Sequence, residues 1–235
     1  TLPWYGGSPA AWTTCMLFFQ TGLLVGYGYA HLIVSVFREK PKIQAAIHLG
    51  LVALALLTMP ITPDEALKPV GGEATSDVWG IVRLLTMTVG LGYIVVSASG
   101  PLIQHWFASS YPDLSPYRLY AVSNLGSLLG LVSYPFLFEP WLGLKHQTWW
   151  WSAGFASYGL IALICARQFW RMASTEAERI EGESPRTGEE SPGIGSMLLW
   201  LSLAACGSGA MLAITNQMCQ DVAIVAFLWV LPLGL

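Results

Sequence analysis

The chain has 235 residues, of which 54% are hydrophobic and only 11% charged. A soluble domain carries about 25% charged residues, so this chain has too few to cover a water-facing surface. The formal net charge of −3 argues against a nucleic-acid partner, which needs a basic surface. Together with a mean hydropathy of +0.54, these values predict an all-α, polytopic transmembrane helix bundle in contact with the lipid bilayer.

Seven apolar segments are candidates for spanning helices, because a helix needs about 20 apolar residues to cross the hydrocarbon core. In chain order they are Ala10–Phe37, Ile43–Met59, Val78–Ser99, Tyr117–Phe138, Gln147–Trp170, Ser196–Ile214 and a segment that starts at Val222. The third segment is free to continue beyond Pro101. We therefore expect about six or seven spanning helices.

These segments divide the chain into three regions. Residues 1–171 form a bundle of five helices, residues 172–195 form a flexible acidic linker with room for a helical start, and residues 196–235 begin a second transmembrane section. The linker is rich in Glu, Ser, Pro and Gly and cannot bury an apolar face. The chain begins at Thr1 and ends within an apolar run at Leu235, so we expect it to be part of a longer protein.

Basic residues indicate the orientation of the bundle. The loops that follow the first, third and fifth segments, with the adjoining helix ends, hold Arg38, Lys40, Lys42, Arg118, Arg167, Arg171, Arg179 and Arg186. The opposite loops hold only Lys68 and Lys145. The positive-inside rule places the richer set in the cytoplasm. We therefore expect Thr1 outside and the 172–195 linker in the cytoplasm.

Aromatic residues lie near both ends of the predicted spans, where such side chains anchor helices at the membrane–water interface. The outer group is Trp4, Trp12, Trp79, Trp141, Trp149, Trp150 and Trp151. The inner group is Trp106, Phe107, Tyr117, Phe169 and Trp170. We interpret both groups as interfacial anchors rather than as platforms for a ligand.

A series of short stretches occurs in a characteristic order along most of the chain. They are Gly7–Trp12, Phe18–Gln20, Gly26–His31, Gly100–Gln104 with Trp106–Phe107, Tyr117–Gly130, Pro135–Phe136, Glu139–Pro140, Thr215–Ala223 and Phe227–Leu233. The series resembles the membrane part of bacterial fused transporter/spermidine-synthase-like proteins. In that family a region loosely similar to the major facilitator superfamily precedes an aminopropyltransferase-like domain.

The resemblance implies a facilitator-like arrangement of two halves around the cytoplasmic linker, in the bacterial inner membrane. It also implies handling of a small solute, with a polyamine as the suggested class. The basic signature loop of classical facilitators is not present, and Arg38 to Lys42 occupies that place. This departure argues against proton-coupled active transport.

No catalytic centre is predicted in this chain, because an aminopropyltransferase needs a Gly-rich turn for its nucleoside cosubstrate. The candidates are Gly26-x-Gly28, Gly193-x-Gly195 and Gly207-x-Gly209. None has the third glycine or follows a soluble strand. We assign them to helix packing and expect any enzymatic activity to belong to a domain outside the chain.

Polar residues within or beside the spans are candidates for lining a cavity, since ionisable groups in lipid are unfavourable unless they serve a function. They are Gln20, Arg83, Asn124, Asn216 and Asp221. Arg83 either reaches outward to the headgroups or faces a cavity. Asp221 is placed at the outer start of the last helix, where a carboxylate is favoured.

Two pairs of glycines, each four residues apart, predict close contacts between helices. The pairs are Gly22 with Gly26 and Gly126 with Gly130. Small residues at this spacing let two helix backbones approach, and Asn124 or neighbouring serines can hydrogen-bond across such a contact. Packing is the first interpretation of these residues, and lining a path for solute is the second.

No metal site or other cofactor is expected. Cys15, Cys165, Cys206 and Cys219 lie in or beside apolar segments without paired spacing, which is typical of small buried side chains. His31 and His48 are interpreted as lying towards segment ends, and no third ligand is spaced with them.

Two classes of function remain open at this point. The first is a transporter-like module that moves or senses a small solute. The second is a non-catalytic protein, either an accessory subunit bound to other membrane subunits or the membrane anchor of a cytoplasmic aminopropyltransferase-like domain outside this chain.

Overall fold

The computed structural model describes residues 5, 9–38, 40–62, 67, 78–111, 114–115, 117–179 and 193–221. The chain divides into two units. Unit 1 comprises Thr1–Ala121 and Leu142–Glu181, and unit 2 comprises Val122–Trp141 and Gly182–Leu235. The described residues contain helices and connecting turns without a strand, so the predicted all-α class is confirmed for this part of the chain.

The helices are numbered in chain order. They are α1 (Pro9–Val36), α2 (Pro41–Leu56), α3 (Val78–Leu85), α4 (Leu91–Ser110), α5 (Tyr117–Ser133), α6 (Glu139–Trp141), α7 (Leu144–Arg179) and α8 (Ile194–Asp221). A π-helical turn, Thr86–Gly90, joins α3 to α4, and a second, Tyr134–Phe138, joins α5 to α6. The two joined pairs therefore each form one long helical segment.

Four helical segments are long and apolar enough to cross a membrane. They are Ala10–Val36, Val78–Ser110, Tyr117–Trp141 and Leu144–Met172. Two shorter apolar helices, Pro41–Leu56 and Ile194–Ala210, accompany them. The described residues thus support a membrane helix protein, while the count of six or seven spans and the two-half arrangement stay predictions.

The helices extend beyond several of the predicted segments. The third passes through Pro101, as the sequence allowed, and ends at Ser110. The fifth is helical to Arg179, so residues 172–179 form the helical start that was allowed for the linker, and residues 180–192 lie outside the described part. The sixth continues beyond Ile214 to Asp221. The predicted seventh segment, from Val222 onward, also lies outside the described residues.

The turn between α3 and α4 has a local cause in its threonines. Thr86 Oγ1 donates to the Val82 carbonyl at 2.7 Å, and Thr88 Oγ1 donates to the Leu84 carbonyl at 2.7 Å. Hydroxyls that bind carbonyls four residues back compete with the backbone amides of the helix. A single wider turn inside an otherwise regular helix is a common result of such irregularity.

Contacts in unit 1 fix the relative directions of α1 and α4. A Cβ built on Gly22 would lie 2.8 Å from Tyr93 Cδ1, and one built on Gly26 would lie 2.8 Å from Ser97 Cβ. The step from Gly22 to Gly26 along α1 thus matches the step from Tyr93 to Ser97 along α4, in the same chain direction. The two helices are therefore parallel.

The directions of α2 and α7 follow in the same way from their contacts with α4. His48 and Gln44 of α2 bind Ser99 and Trp106 respectively, so α2 is antiparallel to α4. In α7, Tyr158 binds Ser99 and Phe169 stacks on Trp106, so α7 is parallel to α4. Unit 1 is thus built from three long helical segments of one direction and the shorter α2 in the other.

Alanines allow these helices to approach closely. Ala30 of α1, Ala45 of α2, Ala98 of α4 and Ala166 of α7 are all buried in one apolar cluster. Small side chains at helix contacts are typical of membrane bundles, because they let the backbones pack by van der Waals contact. This apolar cluster positions the buried polar side chains of unit 1.

Unit 2 has an apolar surface over its described residues. The side chains described between Val122 and Trp141, and in α8, are exposed or partly exposed. Large apolar residues such as Leu129, Leu198 and Leu201 are among the exposed ones. Such a surface suits contact with lipid rather than with water.

Candidate buried polar site

The interior of unit 1 contains a group of polar side chains that we call the polar cluster, defined as Tyr29, His48, Ser99 and Tyr158. Each comes from a different helix, in the order α1, α2, α4 and α7. His48 is 2% exposed and Ser99 is 5% exposed, whereas the two tyrosines are partly buried. A polar group in an apolar interior needs hydrogen-bond partners to offset its desolvation.

Ser99 is the centre of the hydrogen bonds in this cluster. Its Oγ lies 2.8 Å from the Val95 carbonyl oxygen and 3.0 Å from His48 Nε2. It also forms a short hydrogen bond with the Tyr158 hydroxyl. Three helices, α2, α4 and α7, are therefore joined at one side chain.

The proton inventory of Ser99 determines which atoms donate. A serine hydroxyl has one proton and two lone pairs. Because the Val95 carbonyl can only accept, Ser99 donates its proton there and accepts from both other partners. His48 Nε2 and Tyr158 Oη must then each donate to Ser99. The imidazole of His48 is consequently the Nε2–H tautomer, and its Nδ1 carries a free lone pair.

Two buried polar atoms of the cluster are left unsatisfied. His48 Nδ1 and Tyr29 Oη have no hydrogen-bond partner among the described residues. A buried polar atom without a partner is unfavourable by about 1–3 kcal/mol. The cluster thus offers one hydrogen-bond acceptor, Nδ1, and one hydroxyl that can donate.

Aromatic rings extend from the cluster across the unit. Tyr29 stacks on His48 with ring centroids 6.1 Å apart, and His48 meets the edge of Trp106 at 6.2 Å. Trp106 in turn stacks on Phe169 at 5.0 Å. Rings from α1, α2, α4 and α7 therefore form a continuous row.

A second polar pair secures this row. Trp106 Nε1 donates to Gln44 Oε1 at 3.1 Å, and Gln44 Nε2 donates to the Phe37 carbonyl at 2.9 Å. Gln44 and Trp106 are buried. The indole is therefore held at one angle, which keeps its face against Phe169 and its edge region near His48.

The site works by hydrogen bonds rather than by charge. Among the described residues, the buried polar side chains are Thr14, Gln44, His48 and Ser99. None of them is a carboxylate, a lysine or an arginine. The same part of the chain contains no group of three or more His, Cys, Asp or Glu side chains that could hold a metal ion.

The polar residues predicted from the sequence lie elsewhere. Gln20 in α1, Arg83 in α3 and Asn124 in α5 are exposed. Asn216 and Asp221 belong to α8, and their side chains lie outside the described part of the structure. Helix α8 is described as far as Asp221, and the helix predicted to start after it lies outside the described residues, so the stabilisation of Asp221 by a helix N-terminus stays a prediction.

The two glycine pairs differ in their surroundings. Gly22 and Gly26 are buried against α4, where a Cβ on Gly26 would also lie 2.9 Å from the Ile94 carbonyl oxygen. A Cβ on Gly126 or Gly130 would meet no described atom within 4 Å. The contact predicted for this second pair is not formed within the described residues and stays a prediction.

Sequence reasoning missed the residues of the polar cluster. His48 lies in the middle of α2, not towards a segment end as expected. Trp106 and Phe169 were predicted as interfacial anchors but are buried and stacked on each other. One signal was available: a histidine and a glutamine four residues apart, Gln44 and His48, lie on one face of an apolar helix.

Comparisons of the chain with protein families, with curated proteins and with solved structures found no match. The described fold is therefore the basis for its classification. Four long apolar helical segments and a buried polar cluster are typical of integral membrane proteins, whose interior polar groups serve packing or function.

Proposed function

We propose that the chain is a transporter-like module of an integral membrane protein and handles a small solute within unit 1. The observation that carries the proposal is the polar cluster, in which His48 Nδ1 and Tyr29 Oη are buried and find no hydrogen-bond partner in the described part of the chain. In lipid, an unsatisfied polar group persists only where the surrounding structure holds it, and such groups mark solute or ion pathways.

The membrane orientation forms part of this proposal. Because α1 and α7 run in the same direction, Arg38 and Lys40 after α1 lie at the same end of unit 1 as Arg167 and Arg171 of α7. Lys145, in the first turn of α7, lies at the other end. This distribution supports a cytoplasmic location for the basic end, in a bacterial inner membrane with Thr1 outside.

The direction of α2 supports an additional crossing. The parallel helices α1 and α3–α4 can be connected only if the chain returns between them, and the antiparallel α2 lies beside α4 over this distance. We propose that α2 crosses with the four longer segments. The facilitator-like pair of halves is a further expectation from the resemblance.

A polyamine is the solute class that the resemblance suggests. Polyamines are cations and need carboxylates, but the buried polar residues described in unit 1 include none. The chemistry of the polar cluster therefore favours a solute without a positive charge.

An accessory role in a larger membrane complex is the second candidate. It is favoured by Gly126 and Gly130, which are four residues apart on α5 and have open space at their Cβ positions. A helix of another subunit could pack on such a surface. Anchoring an aminopropyltransferase-like domain outside this chain is compatible with either role.

Flux measurements in proteoliposomes test the proposal. The purified chain is reconstituted, and entry of labelled putrescine, glycerol and urea is followed against empty liposomes. We expect faster entry of at least one solute and its loss in His48→Phe. His31→Phe is the matched control, because His31 is an exposed histidine on α1. No flux of any of the three solutes would reject transport.

A further inference from the structure

We infer that the polar cluster binds an uncharged solute, whose N–H or O–H group donates to His48 Nδ1 and whose second polar atom meets the Tyr29 hydroxyl. This inference rests on the proposed function, and it names the chemical class of solute. It follows from three properties of the cluster: its proton arrangement, its lack of buried charge and the position of Tyr29.

The proton arrangement makes His48 Nδ1 an acceptor. Ser99 gives its only proton to the Val95 carbonyl, so His48 must donate through Nε2 and retains a lone pair on Nδ1. A ligand that meets this atom must therefore bring a hydrogen. Hydroxyl, amide and amine groups satisfy this condition, whereas an ionised carboxylate, which can only accept, does not.

Tyr29 supplies the complementary group. Its hydroxyl is buried without a partner among the described residues, and its ring lies on the imidazole of His48 with a centroid distance of 6.1 Å. A solute that both donates and accepts can satisfy the acceptor on His48 and the hydroxyl of Tyr29. Small polyols and ureas have this pair of groups.

The surroundings exclude a charged solute. Among the described residues, His48 contacts the rings of Tyr29 and Trp106 and the hydroxyl of Ser99. The buried residues described in unit 1 hold no carboxylate to balance a cation. A charge moved into an apolar interior without a counter-charge is strongly unfavourable. A neutral molecule avoids this penalty.

Tyr29 also determines access. His48 is 2% exposed, whereas Tyr29 is partly exposed and covers one face of the imidazole. Because Nδ1 is itself buried, a solute reaches it only when a side chain packed on His48 moves, and of the two rings beside His48 that of Tyr29 is the partly exposed one.

Histidine ring NMR tests the inference without relying on transport. The protein is labelled with ring-¹⁵N histidine, and the His48 signals are identified by their loss in His48→Gln. We expect a protonated Nε2 and an unprotonated Nδ1. Added glycerol or urea should shift the Nδ1 signal saturably in the direction of hydrogen bonding, and methylammonium should not. Tyr29→Phe should weaken the response about tenfold through the lost hydrogen bond.

His48→Gln removes the proposed solute acceptor but can keep the hydrogen bond to Ser99. A glutamine amide can replace Nε2–H as the donor to Ser99, but it has no atom at the position of Nδ1. Ser157→Ala is the matched control, since Ser157 is exposed on α7 and its hydroxyl donates to the Ala153 carbonyl of its own helix at 2.9 Å. We expect solute flux to disappear in His48→Gln and to persist in Ser157→Ala. If His48→Gln does not fold, replacing His31, His105 and His146 in turn identifies the His48 signals by elimination, and the wild type and Tyr29→Phe still give the NMR test.

Any of three results would overturn the inference: a His48 protonated at Nδ1, an Nδ1 signal that glycerol and urea leave unchanged, or a response to methylammonium equal to that for glycerol. Saturable binding without flux would reject the proposed transport and keep the site. Flux without binding at His48 would keep the transport and reject the site.

Discussion

His48 Nε2 of α2 lies 3.0 Å from Ser99 Oγ of α4, in the interior of unit 1. Through the same Ser99, α7 joins the contact by the hydroxyl of Tyr158. One serine therefore accepts hydrogen bonds from two other helices while it donates to its own. The stability of this junction should depend on that single hydroxyl.

Replacing Ser99 by alanine should destabilise unit 1 by about 1–3 kcal/mol, because two buried donors lose their acceptor. The measurement is the thermal midpoint of the purified protein in detergent. Ser97→Ala is the matched control, since Ser97 Oγ donates to the Tyr93 carbonyl of the same helix, at 2.7 Å, and does not join α4 to another helix through a hydrogen bond among the described residues. Equal midpoints for the two variants would contradict the role given to Ser99.

Gly26 should tolerate no larger side chain. A Cβ at this position would lie 2.8 Å from Ser97 Cβ and 2.9 Å from the Ile94 carbonyl oxygen, so α1 must move away from α4. We expect Gly26→Ala to destabilise by about 1–3 kcal/mol, as overpacking does. The measurement is resistance to unfolding in a denaturing detergent.

The control for this prediction lies two residues further along the same helix. A Cβ on Gly28 would meet no atom of the described residues within 4 Å. Gly28→Ala should therefore be neutral or slightly stabilising, because alanine favours the helical backbone. A loss of stability in Gly28→Ala as large as that in Gly26→Ala would argue against close packing at Gly26.

Gln44 and Trp106 should show energetic coupling. Trp106→Phe leaves Gln44 Oε1 without its donor, and Gln44→Met leaves the indole N–H without its acceptor. The double variant removes both polar groups, so its loss of stability should be smaller than the sum of the two single losses. Coupling of about 0.5–3 kcal/mol is typical of residues in direct contact. Additive losses would show that the hydrogen bond contributes nothing.

Lys40 and Lys145 should be labelled from opposite sides of the membrane. Lys40 follows the end of α1 and Lys145 lies near the start of α7, and these two helices are parallel. In a cysteine-free background, a membrane-impermeant maleimide should reach Lys145→Cys in intact spheroplasts. It should reach Lys40→Cys only in inverted vesicles. Labelling of both from one side would contradict the topology.

The helices were predictable from the sequence because apolar length is a direct property of the residues. The ends of the helices were less predictable, because a polar residue near the end of a span does not show whether the helix stops there. Ser97 and Ser109 each donate a hydroxyl to a carbonyl of their own helix, that of Tyr93 or His105. A serine whose hydroxyl donates to a carbonyl of its own helix remains compatible with an apolar environment.

The polar cluster was not predictable because its bonds join distant parts of the chain. His48 and Ser99 are 51 positions apart, and Ser99 and Tyr158 are 59 apart. Sequence reasoning selected Arg83 for its charge, and the structure places it on the surface. A weakly polar residue such as Ser99 gives no sequence signal of a site, because its partners are identified only in the folded structure. The close packing at Gly26 was predictable, because its four-residue spacing with Gly22 indicated a helix contact. The sequence did not indicate that α4 is the helix that packs there.

The length of α2 has a consequence for the surrounding bilayer. With 16 residues and a rise of about 1.5 Å per residue, α2 spans about 24 Å. The hydrocarbon core of a membrane is about 30 Å thick, so a crossing by α2 leaves a hydrophobic mismatch of several ångströms beside longer neighbours. Lipids next to Leu57 must then shorten or tilt, or headgroups and water must descend to meet it. The membrane would be thinnest on the side of the protein where α2 ends.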